Sequence, residues 1–202
     1  MPPRGVWGQK APALNTTYDA WLGPDDDDRP GEERRGAILA EVVRRYLRAY
    51  GPAASADIRA WSGLSGLPAV IKELAPELRT YRDERGRTLL DLADAELPAD
   101  DLPLPPRFLP AFDNAVLGYD DRTRIIDDEH KRLSILGTRY VLVEGRVAGA
   151  WTSEGDAGGG VTLTVTPLRR LTRAEQSEVA DEGEHLARFL GDGRAGRMAW
   201  AR

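Results

Sequence analysis

The chain has 202 residues, 41% of them hydrophobic and 30% charged, a balance that can bury a core and that excludes disorder over most of the length. Its net charge of −5 means that any nucleic-acid contact must come from local basic clusters. It has no cysteine and two histidines, so disulfides are excluded and we expect neither a metal site nor a cofactor. No apolar stretch approaches about 20 residues, and we expect a cytoplasmic protein without a membrane partner.

The first regular element is an amphipathic helix that follows an irregular start. Residues 1–33 contain Pro, Gly and an Asp run without apolar periodicity, and they predict an extended lead-in. Apolar residues then recur at helical spacing over residues 38–50. Gly51 and Pro52 follow as a stop signal, so the helix is predicted to end before them.

Two shorter helices and a hairpin are predicted next. Ser55 is the expected cap of the second helix, and Pro68 suits the first position of the third. Residues 78–82 and 87–90 are strand-like, and the Gly-containing connection between them is typical of a hairpin. Three helices followed by a hairpin predict a winged-helix domain over residues 34–94.

A change of composition marks the second half of the chain. Residues 95–106 are acidic and rich in proline, which predicts a linker and a domain boundary. Beyond them, residues 140–151 predict a hairpin that turns at Glu144 and Gly145, and residues 161–165 alternate like a strand. This half is therefore predicted to contain a small antiparallel sheet.

A long helix is predicted to pack on that sheet. Thr172 and Glu175 form a capping-box pattern, and an apolar face follows up to Gly191. We assign residues 107–191 to an α+β C-terminal domain and expect residues 192–202 to be a partly ordered tail. The predicted fold class is α+β: a winged helix, then a small antiparallel sheet packed with a long C-terminal helix.

Basic residues in and near the hairpin are the candidate DNA contacts. In a helix-turn-helix the second helix of the motif enters the major groove, but here Lys72 is its one basic residue, so we expect no sequence-specific readout. Arginines of the hairpin and of residues 122–132 can contact phosphates instead, unless they are ordinary solvated charges. The candidate DNA-binding residues are Lys72, Arg79, Arg82, Arg85, Arg87, Arg122, Arg124 and Lys131.

Asp113 and Asn114 lie in a string where apolar and ionic residues alternate closely. These two side chains either orient a substrate or a DNA-contacting arginine, or they satisfy backbone amides or pair with Arg122 in a partly buried turn. Asp113 is the candidate catalytic carboxylate if the chain carries an active site. The residues alone leave both interpretations open.

Several segments resemble one known family, in the same order along the chain. They are YLRAYGPA at 46–53, WSGL at 61–64, LPAFDN at 109–114, DRTR at 121–124 and VEGRVAGAW at 143–151. Together they resemble the AlkZ-type winged-helix DNA glycosylases, and the resemblance runs from about Arg4 to Leu190. Within the matching segments we expect Trp61, Asp113 and Asn114 to be structural motif residues.

The resemblance implies tandem winged-helix units and a part in DNA repair, since the family includes bacterial glycosylases that excise alkylated bases and unhook interstrand crosslinks. Catalysis in that family is associated with a Gln-x-Gln or Gln-x-Asp motif in the N-terminal portion. Gln9 and Gln176, the two glutamines here, belong to neither pattern. We therefore expect the chain to correspond to the C-terminal part of such a protein, truncated or naturally short, and not to excise bases alone.

Three functional hypotheses follow. The first is a DNA-binding protein whose partners are double-stranded DNA, bound without sequence preference, and either an N-terminal winged-helix portion or a second copy. The second is an active glycosylase with a non-standard site that includes Asp113, Asn114 and Arg122. The third is a protein-interaction module without DNA binding. A continuous basic face would favour the first hypothesis, and arginines paired with acids would favour the third.

Overall fold

The structure is a computed structural model of the chain. The residues that it describes are 15–23, 31–99 and 101–201. They divide into two compact units between Ile38 and Leu39. In the first unit a short helix, α1 (Tyr18–Leu22), lies within the predicted lead-in of residues 1–33, so that segment is not extended throughout. Much of the lead-in lies outside the described residues.

Three helices follow as the sequence predicts: α2 (Glu32–Tyr50), α3 (Ser55–Ser62) and α4 (Leu67–Glu73). In the second unit α2 buries the face that contains Val43 and Tyr46. The prediction that Ser55 caps α3 is wrong. Ala54 is the capping residue, and the Asp57 carboxylate accepts its backbone N–H at 2.8 Å. A side chain inside the first turn thus satisfies an amide that the helix leaves unpaired.

The predicted hairpin forms from β1 (Leu78–Arg82) and β2 (Thr88–Leu92), which pair antiparallel. Ala53 adds an antiparallel bridge to Leu90, which ties the hairpin to the connection before α3. These elements share one apolar core with Tyr119 from the second half of the chain. The buried residues of this core are Leu39, Val43, Tyr46, Leu47, Ala53, Ile58, Leu67, Val70, Leu74, Leu92 and Tyr119.

In the part of the chain that the structure describes, the second sheet has five strands in the order β3-β4-β5-β6-β7. They are β3 (Arg107–Phe108), β4 (Arg139–Val143), β5 (Arg146–Gly155), β6 (Val161–Pro167) and β7 (Gly196–Trp200). Strands β4 to β6 are antiparallel as predicted, and β3, which was not predicted, also pairs antiparallel with β4, but β7 runs parallel to β6. The expectation of a partly ordered tail at residues 192–202 is wrong for β7, and the sheet is mixed rather than antiparallel throughout.

Two short helical segments connect β3 to β4. The first is α5 (Asn114–Leu117), and the second is a 3-10 helix over Asp128–Leu136. Val116 and Ile126 are buried with residues of β4 and β5 in a core of their own. The connection therefore packs on one face of the sheet, and it carries the arginines of residues 122–124.

The long helix α6 (Arg173–Leu190) packs closely against β7, which explains why the end of the chain joins the sheet. A Cβ atom at Gly196 would lie 2.5 Å from the carbonyl carbon of Ala187, and one at Gly183 would lie 2.8 Å from the Met198 Cγ atom. Only glycine allows the helix and the strand to approach this closely. The predicted capping box of α6 is confirmed, because Thr172 and Glu175 bond each other's backbone amides.

Loss of the Glu175 carboxylate is expected to weaken this cap in a pH-dependent way. Hydrogen bonds from Arg169 and from the Thr172 backbone lower the pKa of Glu175 from 4.5 to about 2. The ionised carboxylate therefore stabilises the fold above pH 4.5, and that contribution disappears as the pH falls toward 2. At neutral pH we expect Glu175→Gln to lower the melting temperature by about 2–4 °C, the effect of a cap worth about 1 kcal/mol.

Thermal melts of the wild type and Glu175→Gln, recorded across the acid range, check this prediction. The two melting temperatures should converge as the pH approaches 2. Glu178→Gln is the matched control, because Glu178 is exposed on the same helix. A difference between wild type and Glu175→Gln that stays constant down to the lowest pH would contradict the proposed ionisation of Glu175.

Candidate nucleic-acid interface

Asp83 organises the turn of the β1–β2 hairpin. Its Oδ1 atom accepts the backbone N–H groups of Arg85 at 3.0 Å and Arg87 at 2.7 Å, and its Oδ2 atom accepts the Arg87 Nε–H at 2.7 Å. Although burial raises the pKa of Asp83, the bonds from Arg87 and the backbone lower it below the ordinary value overall. The turn is therefore held by an ionised side chain, and Arg82 and Arg85 remain exposed beside it.

Asp57 fixes the segment that faces this turn. Its side chain is 1% exposed, and its Oδ1 atom accepts the backbone N–H groups of Asp120 at 3.0 Å and Asp121 at 3.1 Å. The Oδ2 atom accepts the N–H of Ala54 at the start of α3. One buried carboxylate thus joins α3 to residues that lie more than sixty positions later in the sequence.

Asp121 and Arg87 connect the hairpin to that segment through ion pairs. The Asp121 Oδ2 atom lies 3.0 Å from the Arg85 Nη1 atom and 3.3 Å from the Arg87 Nε atom. Arg87 also reaches Asp57, at 4.0 Å. Burial raises the pKa of Asp121, but hydrogen bonds from Thr123 and the positive charges of Arg87 and Arg85 lower it below its usual value overall. Arg87 therefore lies among three carboxylates, those of Asp57, Asp83 and Asp121.

Arg124 lies over an aromatic cluster. Its guanidinium carbon is 4.1 Å from the centre of the Tyr119 ring, a distance typical of a cation–π contact. Tyr119 contacts Tyr50 edge-on at 5.9 Å, and Tyr50 in turn lies 5.7 Å from Trp61. Trp61 also contacts the buried Tyr46, with ring centres 5.5 Å apart. These rings hold Arg124 at the surface.

Arg146 follows the two-residue turn between β4 and β5. Glu144 and Gly145 have φ values of 51° and 75°, as a tight hairpin turn with two left-handed residues requires. The Arg146 guanidinium donates to the carbonyls of residues 123–124 at 3.1 and 3.0 Å and pairs with Asp127 at 2.6 Å. It therefore ties the start of β5 to the connection that carries Arg124.

Five arginines from these elements line one surface cleft of about 640 Å³. We call it the arginine cleft, and its arginines are Arg82, Arg85, Arg87, Arg124 and Arg146. The sequence had suggested all of them except Arg146, whose position at the start of a strand gave no reason to group it with the others. Asp83 and Glu84 also line the cleft, and further carboxylates pair with its arginines, so much of the positive charge is compensated.

The remaining predicted contacts do not line this cleft. Arg79 donates to the Ala95 carbonyl, and Arg122 donates to Tyr119 and to the Ser134 hydroxyl. Two lysines are exposed elsewhere, Lys72 on α4 and Lys131 on the 3-10 helix. The structure therefore brings together only half of the eight predicted residues, the group formed by Arg82, Arg85, Arg87 and Arg124.

Asp113 caps α5, because its Oδ1 atom accepts the backbone N–H of Ala115 at 2.7 Å. This is the backbone-satisfying role that the sequence left open beside a catalytic one. Asn114 is the first residue of α5 and is exposed. Arg122 bonds Tyr119 and Ser134, so the suggested pairing of Asp113 with Arg122 is not the arrangement found.

The family profile described as "DNA glycosylase AlkZ-like" matches residues 1–189. The chain therefore belongs to this family, which confirms the resemblance seen in the sequence and relates its function to DNA repair. DNA is the substrate or partner that such a family implies. No curated protein and no solved structure gives a significant match. Within the described ranges, no helix is both long and apolar enough to cross a bilayer.

Proposed function

We propose that this chain binds duplex DNA without sequence preference through the arginine cleft, in the repair of alkylated or crosslinked DNA. The observation that carries the proposal is the assembly of five arginines, from three separate segments, in a member of a DNA glycosylase family. Helices α2 to α4 and the β1–β2 hairpin would form a winged-helix domain over residues 34–94, separated by the linker 95–106 from the rest. In this proposal the hairpin and its neighbours contact the phosphates.

The ion pairs of the cleft are compatible with phosphate binding. The side chains of Arg85 and Arg146 are 56% and 47% exposed, and exposed ion pairs contribute only about 0–1 kcal/mol. A phosphate can therefore replace the carboxylate at such an arginine at little cost. Arg87 differs, since it is 31% exposed and has three carboxylate neighbours. We assign Arg87 to holding the cleft together and the exposed arginines to contacting DNA.

Charge compensation supports a second candidate function, a protein-interaction module. The carboxylates of Asp83, Asp121 and Asp127 pair with arginines of the cleft, and such alternating charges are typical of polar protein interfaces. We rank this function second because family membership implies DNA as the substrate or partner. Since Asp113 caps α5, we propose no catalytic role for it.

Salt dependence tests the proposed DNA binding. Each neutralised phosphate releases counterions, so about three to four contacts should give a slope of about −3 in a plot of log K against log salt. Fluorescence anisotropy with two labelled duplexes of unrelated sequence measures both the affinity and the slope. We expect equal affinities for the two duplexes. Absence of binding at low salt would favour the interaction module, and binding that is insensitive to salt would contradict phosphate contacts.

A further inference from the structure

A second cavity of about 840 Å³ lies beside the start of α6, outside the arginine cleft. Its walls come from the connection between β6 and α6, the first turn of the helix and the end of β7. Arg169, Arg170 and Arg173 line it together with Gln176 and Trp200. Trp200 lies beyond the family match, which ends at residue 189, so this cavity includes a wall that the family profile does not cover.

Carboxylates line the arginine cleft, where Asp83 and Glu84 accompany the five arginines, but they do not enter the described lining of this cavity. Among the residues that the structure describes, three arginines and no acidic residue line the cavity, in a chain whose net charge is −5. Arg169 pairs with Glu175 at 2.7 Å. Arg170 and Arg173 are exposed, and neither side chain forms an ion pair with any carboxylate of the described residues. A phosphate could therefore bind Arg170 and Arg173 without displacing a carboxylate from either side chain.

Arginine side chains supply the formal positive charge of the cavity. The capping box already occupies the backbone N–H groups of Thr172 and Glu175. The arginine guanidinium groups supply planar sets of donors that match phosphate oxygens. An anion in this cavity would therefore be recognised by Arg170 and Arg173.

The same cavity offers a flat aromatic wall. Trp200 is partly exposed on β7, an edge strand, and its buried part packs on the core of the sheet. The Gln176 Nε2 atom donates to the Leu171 carbonyl at 3.0 Å, which orients the carboxamide beside the cavity. Because the indole packs on the core and remains partly exposed, it suits stacking with a nucleobase. The bases of an intact duplex already stack on each other, so this contact favours an unstacked base.

We propose that this cavity binds an unstacked nucleotide of single-stranded or locally opened DNA. Arg170 and Arg173 bind the phosphate, and Trp200 stacks on the base. This inference rests on the proposed DNA binding of the chain and adds a second contact that distinguishes opened from intact duplex. A repair protein uses such a contact where a lesion weakens base pairing, because opening a damaged pair costs less.

Anisotropy with a labelled thymidine decanucleotide tests the cavity, and the labelled duplex is measured in parallel. We expect Arg170→Ala combined with Arg173→Ala to weaken decanucleotide binding by about 10-fold, and Trp200→Leu to weaken it by a similar factor. Binding of the duplex should change less than about 3-fold in either variant. Arg188→Ala combined with Arg194→Ala is the control, since it removes the same charge from exposed positions that do not line the cavity.

The outcomes separate this proposal from the proposed duplex binding. Equal decanucleotide affinity in the wild type and the Arg170/Arg173 variant would overturn the cavity proposal, whatever happens to the duplex. Equal loss of duplex and decanucleotide binding would also overturn it, because the arginines would then be general backbone contacts. Decanucleotide binding that needs Arg170 and Arg173, with no duplex binding, would support the cavity and overturn the arginine cleft. If Trp200→Leu fails to fold, the variant with Arg170→Ala and Arg173→Ala, both at exposed positions, tests the proposal alone.

Discussion

Replacing Asp57 with alanine is expected to lower the free energy of unfolding by about 3–5 kcal/mol. The buried carboxylate accepts three backbone N–H groups, from Ala54, Asp120 and Asp121, and it faces Arg87. Alanine leaves the three backbone donors without this acceptor in a site that water does not reach freely. A loss of this size is a large part of the total stability of a small protein, which is about 5–15 kcal/mol.

Urea unfolding of the wild type, Asp57→Ala, Asp57→Asn and Asp120→Ala measures this effect. Asp120 is exposed and adjacent in space, so its replacement should change stability by about 0.5 kcal/mol or less. Asp57→Asn keeps an acceptor oxygen but turns an NH₂ group toward backbone donors, and an intermediate loss is expected. If Asp57→Ala unfolds at the same urea concentration as Asp120→Ala, Asp57 does not hold the connection in place.

The sequence predicts elements well where the determining residues are neighbours. Helix α2 ends at Tyr50, directly before the stop formed by Gly51 and Pro52. The β4–β5 hairpin turns at Glu144 and Gly145, and the capping box of α6 forms as its spacing predicts. In each case the residues that determine the element lie within the same short segment of the sequence.

Long-range contacts account for what the sequence did not predict. β7 needs a parallel partner from β6, and its place depends on Gly196 lying against α6, which no local pattern reveals. The role of Asp57 could not be predicted from its neighbours, because two of the backbone N–H groups that it accepts belong to residues 120–121. Arg146 joins the arginine cleft through the fold of β5 and the connection before β4. Positive charge was visible in the sequence, but its pairing with acids was not.

Replacing Arg82 and Arg85 together with alanine is expected to weaken duplex binding by about 10- to 100-fold and to reduce the magnitude of the salt slope by about 2. Both arginines are exposed on the hairpin turn. Arg82 donates to the Gly86 carbonyl at 3.2 Å. Arg85 pairs with Asp121, and Asp121 still has Arg87 as an ion-pair partner when Arg85 is removed. Their removal should therefore leave the fold intact, with a melting temperature within about 2 °C of the wild type.

Two further variants show whether position, rather than charge alone, determines the loss. Arg45→Ala combined with Arg188→Ala makes the same change in net charge on the exposed faces of α2 and α6, and it should weaken duplex binding by about 3-fold or less. Arg87→Ala should lower stability instead, because it leaves Asp57, Asp83 and Asp121 close together without their shared cation. If the Arg82/Arg85 and Arg45/Arg188 variants bind duplex equally well, the arginine cleft is not the DNA-binding surface, because a localised contact must depend on which arginines are removed.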